Sequence, residues 1–285
     1  MPVISLIAPK GSLDPALVSS LQGAFGATGD ALWLSPDEAV EFPVAHCPSN
    51  FEDVRKTVSD QQVDLNFIDD ANRRKSLLIA DMDMTMIGQE CIDELADEAG
   101  VGARVAEITA RAMNGELDFE KAVVERVGLM QGLDAGVIES VLETRITLTP
   151  GGKALVQTMK KHGAHTALVS GGFIQFAEAV AAQIGFDEAH ANRLLVDGGR
   201  LTGDVARPIL GRDAKVSVLE RLSPDTSRAI AIGDGANDLG MIERAGMGVA
   251  VHAKPIVAAA APLAINHGDL TACLFLQGYS IADFA

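Results

Sequence analysis

Two aspartates, Asp81 and Asp83, follow directly on the apolar run Leu77-Leu78-Ile79-Ala80, and the segment Asp81-Met82-Asp83-Met84-Thr85 is the most informative in the chain. Carboxylates released together from a strand end can share a divalent cation, and one can attack an electrophile while its neighbour moves a proton. A period of two places both on one side as long as the chain stays extended. Read alone, the pair is equally an acidic loop that solubilises a strand end. A second acidic turn, Gly233-Asp234-Gly235-Ala236-Asn237-Asp238, follows the apolar run Ala229 to Ile232, and its glycines permit a tight turn and a close approach of backbone to ligand. Asn237 and Asp238 suit the start of the next helix, so Asp238 alone reads equally as a helix-terminal charge. A third run, His165 to Val169, ends in Ser170-Gly171-Gly172. Backbone N–H groups at a helix start bind phosphate, and the Ser170 hydroxyl adds a donor. Lys215 stands in sequence between that serine and the second acidic turn, where it could neutralise phosphate charge; elsewhere it would read as a solvated surface lysine.

Such residues need strands that end on one edge. From Leu77 onward apolar runs alternate with helical stretches, the pattern of βα units on a parallel sheet, whose carboxyl edge is where such sheets bind ligands. The strand candidates are Leu77 to Ala80, Thr166 to Val169, Ala229 to Ile232, Gly248 to Val251 and Leu263 to Ile265. Between the first two lies a helical insertion, Glu90 to Arg145, broken at Gly100, Gly115 and Gly132, which suggests a cap. Asn192 to Thr202, with Asp197-Gly198-Gly199, reads as a β-hairpin, and Ala258 to Ala261 as a packed helix end. Before Leu77, strands at Val3 to Ala8, Leu32 to Leu34, Ala39 to Val44 and Val63 to Ile68, with helices near Pro15 to Gly23 and Phe51 to Gln61, give the order βαββαβ of a ferredoxin-like sandwich. Asp69 to Ser76 then reads as a solvated, charged linker. The expected fold is α/β: a Rossmann-like parallel-sheet core at 71–285 with a helical cap at about 90–145, preceded by a small domain at 1–70.

A chain of 285 residues, 48% hydrophobic, can bury a sizeable core. A net charge of -16 with no basic patch speaks against a nucleic-acid partner. It does not exclude a small anion, because local cations can reverse the potential inside a pocket. The segment Met1 to Lys10 has no basic leader region or small-residue cleavage site, and no apolar run is long enough to span a bilayer, so no membrane partner is expected. Cys47, Cys91 and Cys273 lie far apart without CxxC spacing, which points to a reduced, cytoplasmic protein. His162, His165 and Cys91 read as packing or surface residues.

In this order the four pieces resemble the haloacid dehalogenase superfamily of phosphotransferases, whose motifs read DxDx[TV], a strand-terminal Ser or Thr, a Lys, and a GDxxxD acidic turn. Gln89-Glu90-Cys91-Ile92-Asp93-Glu94-Leu95-Ala96, Met113-Asn114-Gly115-Glu116-Leu117-Asp118-Phe119 and Arg126-Val127 narrow the resemblance to its phosphoserine phosphatase family. That resemblance implies Mg2+-dependent hydrolysis of a small molecule, O-phosphoserine, through an aspartyl-phosphate, the last step of serine biosynthesis. It implies Asp81 as nucleophile, Asp83 as general acid and base, and Mg2+ held by Asp81, the Asp83 carbonyl and Asp234, with Asp238 supporting the metal from behind. Ser170, Gly171, Lys215 and Asn237 would surround the phosphate. Glu90 would hold the substrate ammonium and Arg126 its carboxylate, with Met113 and Phe119 closing from the cap. One acid and one bidentate cation are a sensible reader of an α-amino acid; the bland alternative for Glu90 and Arg126 is a pair of surface helix charges. Two departures flank the nucleophile: Ala80 where the family more often has Phe, and Met84 where it has a small residue such as Ser. The amino-terminal segment resembles an ACT-type regulatory domain in topology, which leaves open a homodimer and a serine effector bound there. The rival readings are a related small-molecule phosphotransferase, an amino-acid-sensing regulatory protein, and a metal-independent dehalogenase.

Overall fold

The computed structural model describes residues 1–69, 72–113 and 116–285, without the side chain of Met113. The first unit runs β1 (Val3–Ile7), α1 (Pro15–Phe25), β2 (Leu32–Ser35), β3 (Ala39–Pro43), α2 (Phe51–Ser59), β4 (Asp64–Ile68), in an antiparallel sheet of order β2-β3-β1-β4. This is the βαββαβ order expected. Local chemistry sets the helix ends: the Asp14 carboxylate accepts from Ala16 N–H at 2.8 Å, Pro15 opens α1, and Gly26 closes it at φ 63°. Ile4 and Leu6 face the two helices, while Ile7, Leu34, Ala39 and Ile68 face the core of the second unit. The face toward the second unit is polar as well as apolar, because Ser5, Glu41, Asp64 and Asn66 are buried on it beside Ile7, Ala39 and Ile68.

The second unit continues with β5 (Leu77–Ala80), the insertion helices α3 (Cys91–Glu98), α4 (Gly102–Met113), α5 (Phe119–Gly128) and α6 (Val137–Thr144), then α7 (Gly152–Lys161), β6 (His165–Phe173), α8 (Ile174–Ile184) and β7 (Glu188–Asn192). A hairpin of β8 (Leu194–Asp197) and β9 (Arg200–Val205) precedes α9 (Arg212–Leu222), β10 (Ala229–Gly233), α10 (Leu239–Arg244), β11 (Met247–Val251), α11 (Pro255–Ala260), β12 (Leu263–Ile265) and α12 (Ala272–Leu276). The sheet order is β12-β11-β10-β5-β6-β7, and every pair is parallel. Leu78, Ala80, Leu168, Ile230 and Ile232 pack on one face, and Leu77, Ile79, Ala167, Val169, Ala229 and Ala231 on the other, beneath Leu219 and Met241. Hence the uninterrupted apolar runs in the sequence. β10, β5 and β6 are neighbours at the centre, so three chemistry-bearing segments leave the sheet side by side.

Two corrections concern the ends of this layout. β7, Glu-Ala-His-Ala-Asn, was not among the expected strands; it is a polar edge strand, held by its ladder to β6 and by Glu188, which bridges His165 at 2.5 Å and His190 at 2.6 Å. The segment expected to be a solvated linker is a strap: Lys75 is buried and donates to the Ser227 carbonyl at 2.9 Å, and Arg73 pairs with Glu41 at 2.6 Å. Asp70 and Ala71, where the expected boundary falls, and Gly115, an expected helix break, lie outside the described residues. The other two breaks, Gly100 and Gly132, adopt positive φ of 69° and 83°.

The two units are joined by polar groups that would otherwise be orphaned. Asp64 accepts from the backbone N–H groups of Asn266, His267 and Gly268 at 2.8, 3.0 and 3.0 Å, and the Asn66 amide pairs with both N–H and C=O of Ala264 at 3.0 Å. β4 therefore covers the edge strand β12 through side chains, which closes an edge that would otherwise be open to pairing.

Candidate active site

β5 ends at Ala80, and the chain then turns rather than continuing extended. The N–H groups of Thr85, Met86 and Ile87 all point at the Met82 carbonyl, at 3.3, 2.8 and 3.0 Å, and Met84 sits at φ 54°. The strand periodicity expected to align Asp81 with Asp83 is thus replaced by a tight turn, and tertiary partners aim the two carboxylates. Asp81 lies beside β10, its N–H bonded to the Ile232 carbonyl at 3.0 Å. Asp83 Oδ1 accepts from Cys91 N–H at 3.1 Å, and Oδ2 from the Ser170 hydroxyl at 3.3 Å. Ser170 in turn accepts from Gly172 N–H at 2.8 Å.

Lys215, on α9, is 2% exposed, and its Nζ lies 2.5 Å from Asp81 Oδ1 and 2.5 Å from Asp238 Oδ1. Asp238 Oδ2 accepts from Gly235 N–H at 3.0 Å, so both its oxygens are engaged; it is no exposed helix-end charge. Thr85 donates to Asp234 at 3.2 Å. Burial pushes the Asp81 carboxyl up and Lys215 pulls it back, with Asp238 adding to the push. Burial opposes the Lys215 charge, but Asp81 and Asp238 outweigh it and hold the ammonium protonated. Asp83 is raised by burial against the hydrogen bonds from Cys91 and Ser170, and Asp234 is raised by burial and by Asp238.

Oxygens of Asp81, Asp234 and Asp238 all lie within 4.8 Å of one another. An all-oxygen set of carboxylates in which burial raises Asp81 and Asp234 in spite of Lys215 suits a hard divalent cation, which would relieve that charge. This side-chain cluster takes in Asp238, which the sequence reading placed behind the metal. Its carboxylate stands with the other two, although Lys215 already shares it.

A cavity of ≈ 260 Å³ opens above these groups. The core side contributes Asp81, Asp83, Ser170, Gly171, Asp234 and Asn237; the insertion contributes Glu90, Phe119 and Arg126. Glu90 immediately precedes α3 at the mouth, and its carboxyl is pushed up to about 7, first by burial and then by Asp83, Asp93 and Asp234, with Lys254 opposing. Arg126, which lines the cavity, is anchored on α5 by Nε donating to the Ala122 carbonyl at 3.2 Å. Phe119 is 40% exposed and stacks its ring edge over Gly171, where a Cβ would lie 3.4 Å from it. The structure thus brings together every sequence candidate around one space except Met113, whose side chain is outside the described residues, and Lys215 and Asp238, which lie just beneath. Sequence reasoning missed Cys91, whose N–H aims Asp83, and Lys254, which lines the cavity. Neither is marked by spacing; both contacts form only in three dimensions.

Gly172 is required by crowding. A Cβ there would stand 2.7 Å from Asp83 Oδ2 and 3.0 Å from Ser170 Oγ. Gly172→Ala is expected to displace Asp83 and, in any turnover in which Asp83 moves a proton, to lower kcat roughly a hundredfold while KM changes little in steady-state kinetics. An unchanged kcat would show that the Asp83 placement is not critical.

The profile of the haloacid dehalogenase-like hydrolase family matches residues 78–243. A phosphoserine phosphatase of Streptomyces coelicolor is 45% identical over 210 residues, 72% of this chain and 51% of that protein, so the chain spans about half the length of that relative. Among solved structures, a haloacid dehalogenase family hydrolase of Salmonella enterica serovar Typhi superposes with a TM-score of 0.87 over 97% of this chain and 98% of its own, at 30% identity. A phospho-aspartyl intermediate analogue of phosphoserine phosphatase superposes with a TM-score of 0.65 at 39% identity, over 70% of this chain and 98% of its own.

Proposed function

Because the chain belongs to the haloacid dehalogenase-like hydrolase family, we propose that it hydrolyses O-phosphoserine to serine and phosphate through an aspartyl-phosphate on Asp81. The observation that carries this reading is a single cavity with Asp81 and Asp83 on its floor and Glu90 and Arg126 on its cap side. The Asp81 oxygen attacks phosphorus as the bond to the serine oxygen breaks, and Asp83 donates the proton that the leaving alkoxide takes up. Asp83, now ionised, accepts a proton from the water that attacks the aspartyl-phosphate, which releases phosphate and restores Asp81. Ser170, Gly171, Asn237 and Lys215 hold the phosphoryl oxygens or their counter-charge. Glu90 receives the ammonium, Arg126 the carboxylate, and Met113 and Phe119 close the cap. Mg2+ is the cation that Asp81, Asp234 and the Asp83 carbonyl would hold, with Asp238 in support, and when bound it supplies electrostatic stabilisation of the phosphoryl group.

The same proposal includes the division into 1–70 and 71–285 with a cap at about 90–145, and a cytoplasmic setting, in keeping with the three unpaired cysteines. It also includes a homodimer and a serine effector at the first unit, for which the ferredoxin-like topology is the support.

Phosphate release from O-phospho-L-serine, with Mg2+ or with a chelator, tests this against phosphothreonine and an aryl phosphate. Expected is Mg2+-dependent turnover that favours phosphoserine; turnover of the aryl phosphate alone would retain the phosphoryl chemistry and sink the substrate. A pH series adds a second check. Glu90 must be ionised to hold an ammonium, and its carboxyl sits at about 7, so kcat/KM for phosphoserine should fall as pH drops through that region. The ester's own second ionisation, at about pH 6, gives both substrates an acid limb. The aryl phosphate, which has no ammonium, should lack the additional fall at higher pH, and equal pH profiles for the two would detach Glu90 from substrate recognition.

A further inference from the structure

Lys254 lines the cavity from the core side, and none of the four motifs accounts for it. It stands immediately before α11, two residues beyond His252, which holds φ 46°, a left-handed backbone that a non-glycine residue adopts at a cost. That bend is fixed by His252 N–H donating to the Ile265 carbonyl at 2.7 Å, and by the His252 ring at 3.2 Å from the Asn266 carbonyl. The chain thereby turns off the end of β11 and back toward the second acidic turn, where Lys254 N–H faces the Asp234 carbonyl at 3.4 Å.

Charge balance gives the lysine a task. Among the described residues that line the cavity, Asp81, Asp83, Glu90 and Asp234 are acids, and Arg126 and Lys254 are the cations. Arg126 comes from the insertion, and the Lys215 charge is committed beneath the floor to Asp81 and Asp238. Lys254 is exposed, and its charge reaches both Glu90 and Asp234, lowering their carboxyls against the push of burial. A phosphate ester approaching a chain of net charge -16 meets a cavity lined by four carboxylates. A compact ammonium on a flexible stem there is suited to meet a dianion and pass it inward.

We propose that Lys254 is a substrate-capture residue, the cation at the core side of the cavity mouth that admits the phosphoryl dianion and so favours phosphate esters over uncharged ones. The inference rests on the phosphatase reading only in taking a phosphate ester as substrate. It assigns Lys254 to binding and not to the chemical step, so its loss acts on KM and leaves kcat in place.

The test compares Lys254→Met, Lys254→Gln and Lys254→Arg with the wild-type chain, all loaded with Mg2+, on O-phospho-L-serine and on an aryl phosphate, at low and high salt. Inorganic phosphate binding by calorimetry supplies a readout independent of turnover. Expected for the neutral variants is a rise in KM of about tenfold for both substrates at low salt, kcat within about twofold of wild type, and a matching loss of phosphate affinity. The rise should shrink at high salt, and Lys254→Arg should restore KM. A KM unchanged in both neutral variants, a rise confined to phosphoserine, or a loss of kcat at constant KM would each overturn the proposal. Wild-type protein inactive on every phosphate ester would instead remove the phosphatase reading itself.

Discussion

Asp81→Asn should lower kcat for phosphoserine by roughly ten-thousandfold or more, with the fold intact. An amide of nearly the same shape still fits the end of β5 beside β10, but it has no anionic oxygen with which to form an acyl-phosphate. The substitution also weakens the partner of Lys215, which now lies 2.5 Å from that carboxylate, so phosphoryl charge is less well balanced in the variant. Both effects act on the transition state, and KM should move much less than kcat. Steady-state phosphate release checks this, with circular dichroism as the control for folding. Residual activity within about tenfold of wild type would mean that Asp81 is not the nucleophile.

The second large effect is on stability. Lys215→Met should destabilise the metal-free protein by about 3–5 kcal/mol, because it leaves Asp81 and Asp238 buried against one another without their shared ammonium. Methionine fills much the same volume, so the loss reports charge and not a cavity. A divalent cation held by the same carboxylates should recover part of it, since a ligand that binds only the folded state stabilises that state. Guanidinium melts in chelator and in Mg2+ measure both quantities. Equal midpoints for wild type and variant in chelator would contradict the bridging role; an equal loss with and without Mg2+ would contradict the carboxylates as the cation's site. Turnover should fall in parallel, because the same ammonium balances the phosphoryl oxygens.

Much of this arrangement is legible in the sequence because the physics is local. The runs Leu77 to Ala80, Ala167 to Val169 and Ala229 to Ile232 are buried on both faces and so are apolar, and each stops at residues that turn a chain and carry chemistry: acids after β5 and β10, and a serine with glycines in β6. Three such runs predict three neighbouring strand ends, and the sheet order β10-β5-β6 delivers them. Two of the breaks in the insertion and the hairpin turn were legible because Gly100, Gly132, Gly198 and Gly199 take positive φ, which glycine adopts at no steric cost.

What escaped is what tertiary partners decide. β7 has a polar sequence and is held in place by its ladder to β6 and by Glu188 between two histidines, a combination no local pattern announces. The Asp69–Ser76 segment looks like a solvated linker because it is charged, yet Arg73 and Lys75 find their partners on other elements. The bridge from Lys215 to Asp81 and Asp238 spans 134 residues of sequence on one side and 23 on the other, so spacing suggests a lysine but not its geometry. Cys91, read as packing, proves to aim the Asp83 carboxylate through its backbone N–H.

The most direct test of an aspartyl-phosphate formed from phosphoserine is rapid acid quench of the Mg2+-loaded protein with radiolabelled substrate, followed by peptide mapping. Expected is label on the peptide that carries Asp81, appearing within the first turnover, lost in Asp81→Asn, and chased off by water at a rate no slower than kcat. Phosphate released at full rate with no label on that peptide, or label retained in Asp81→Asn, would contradict the mechanism.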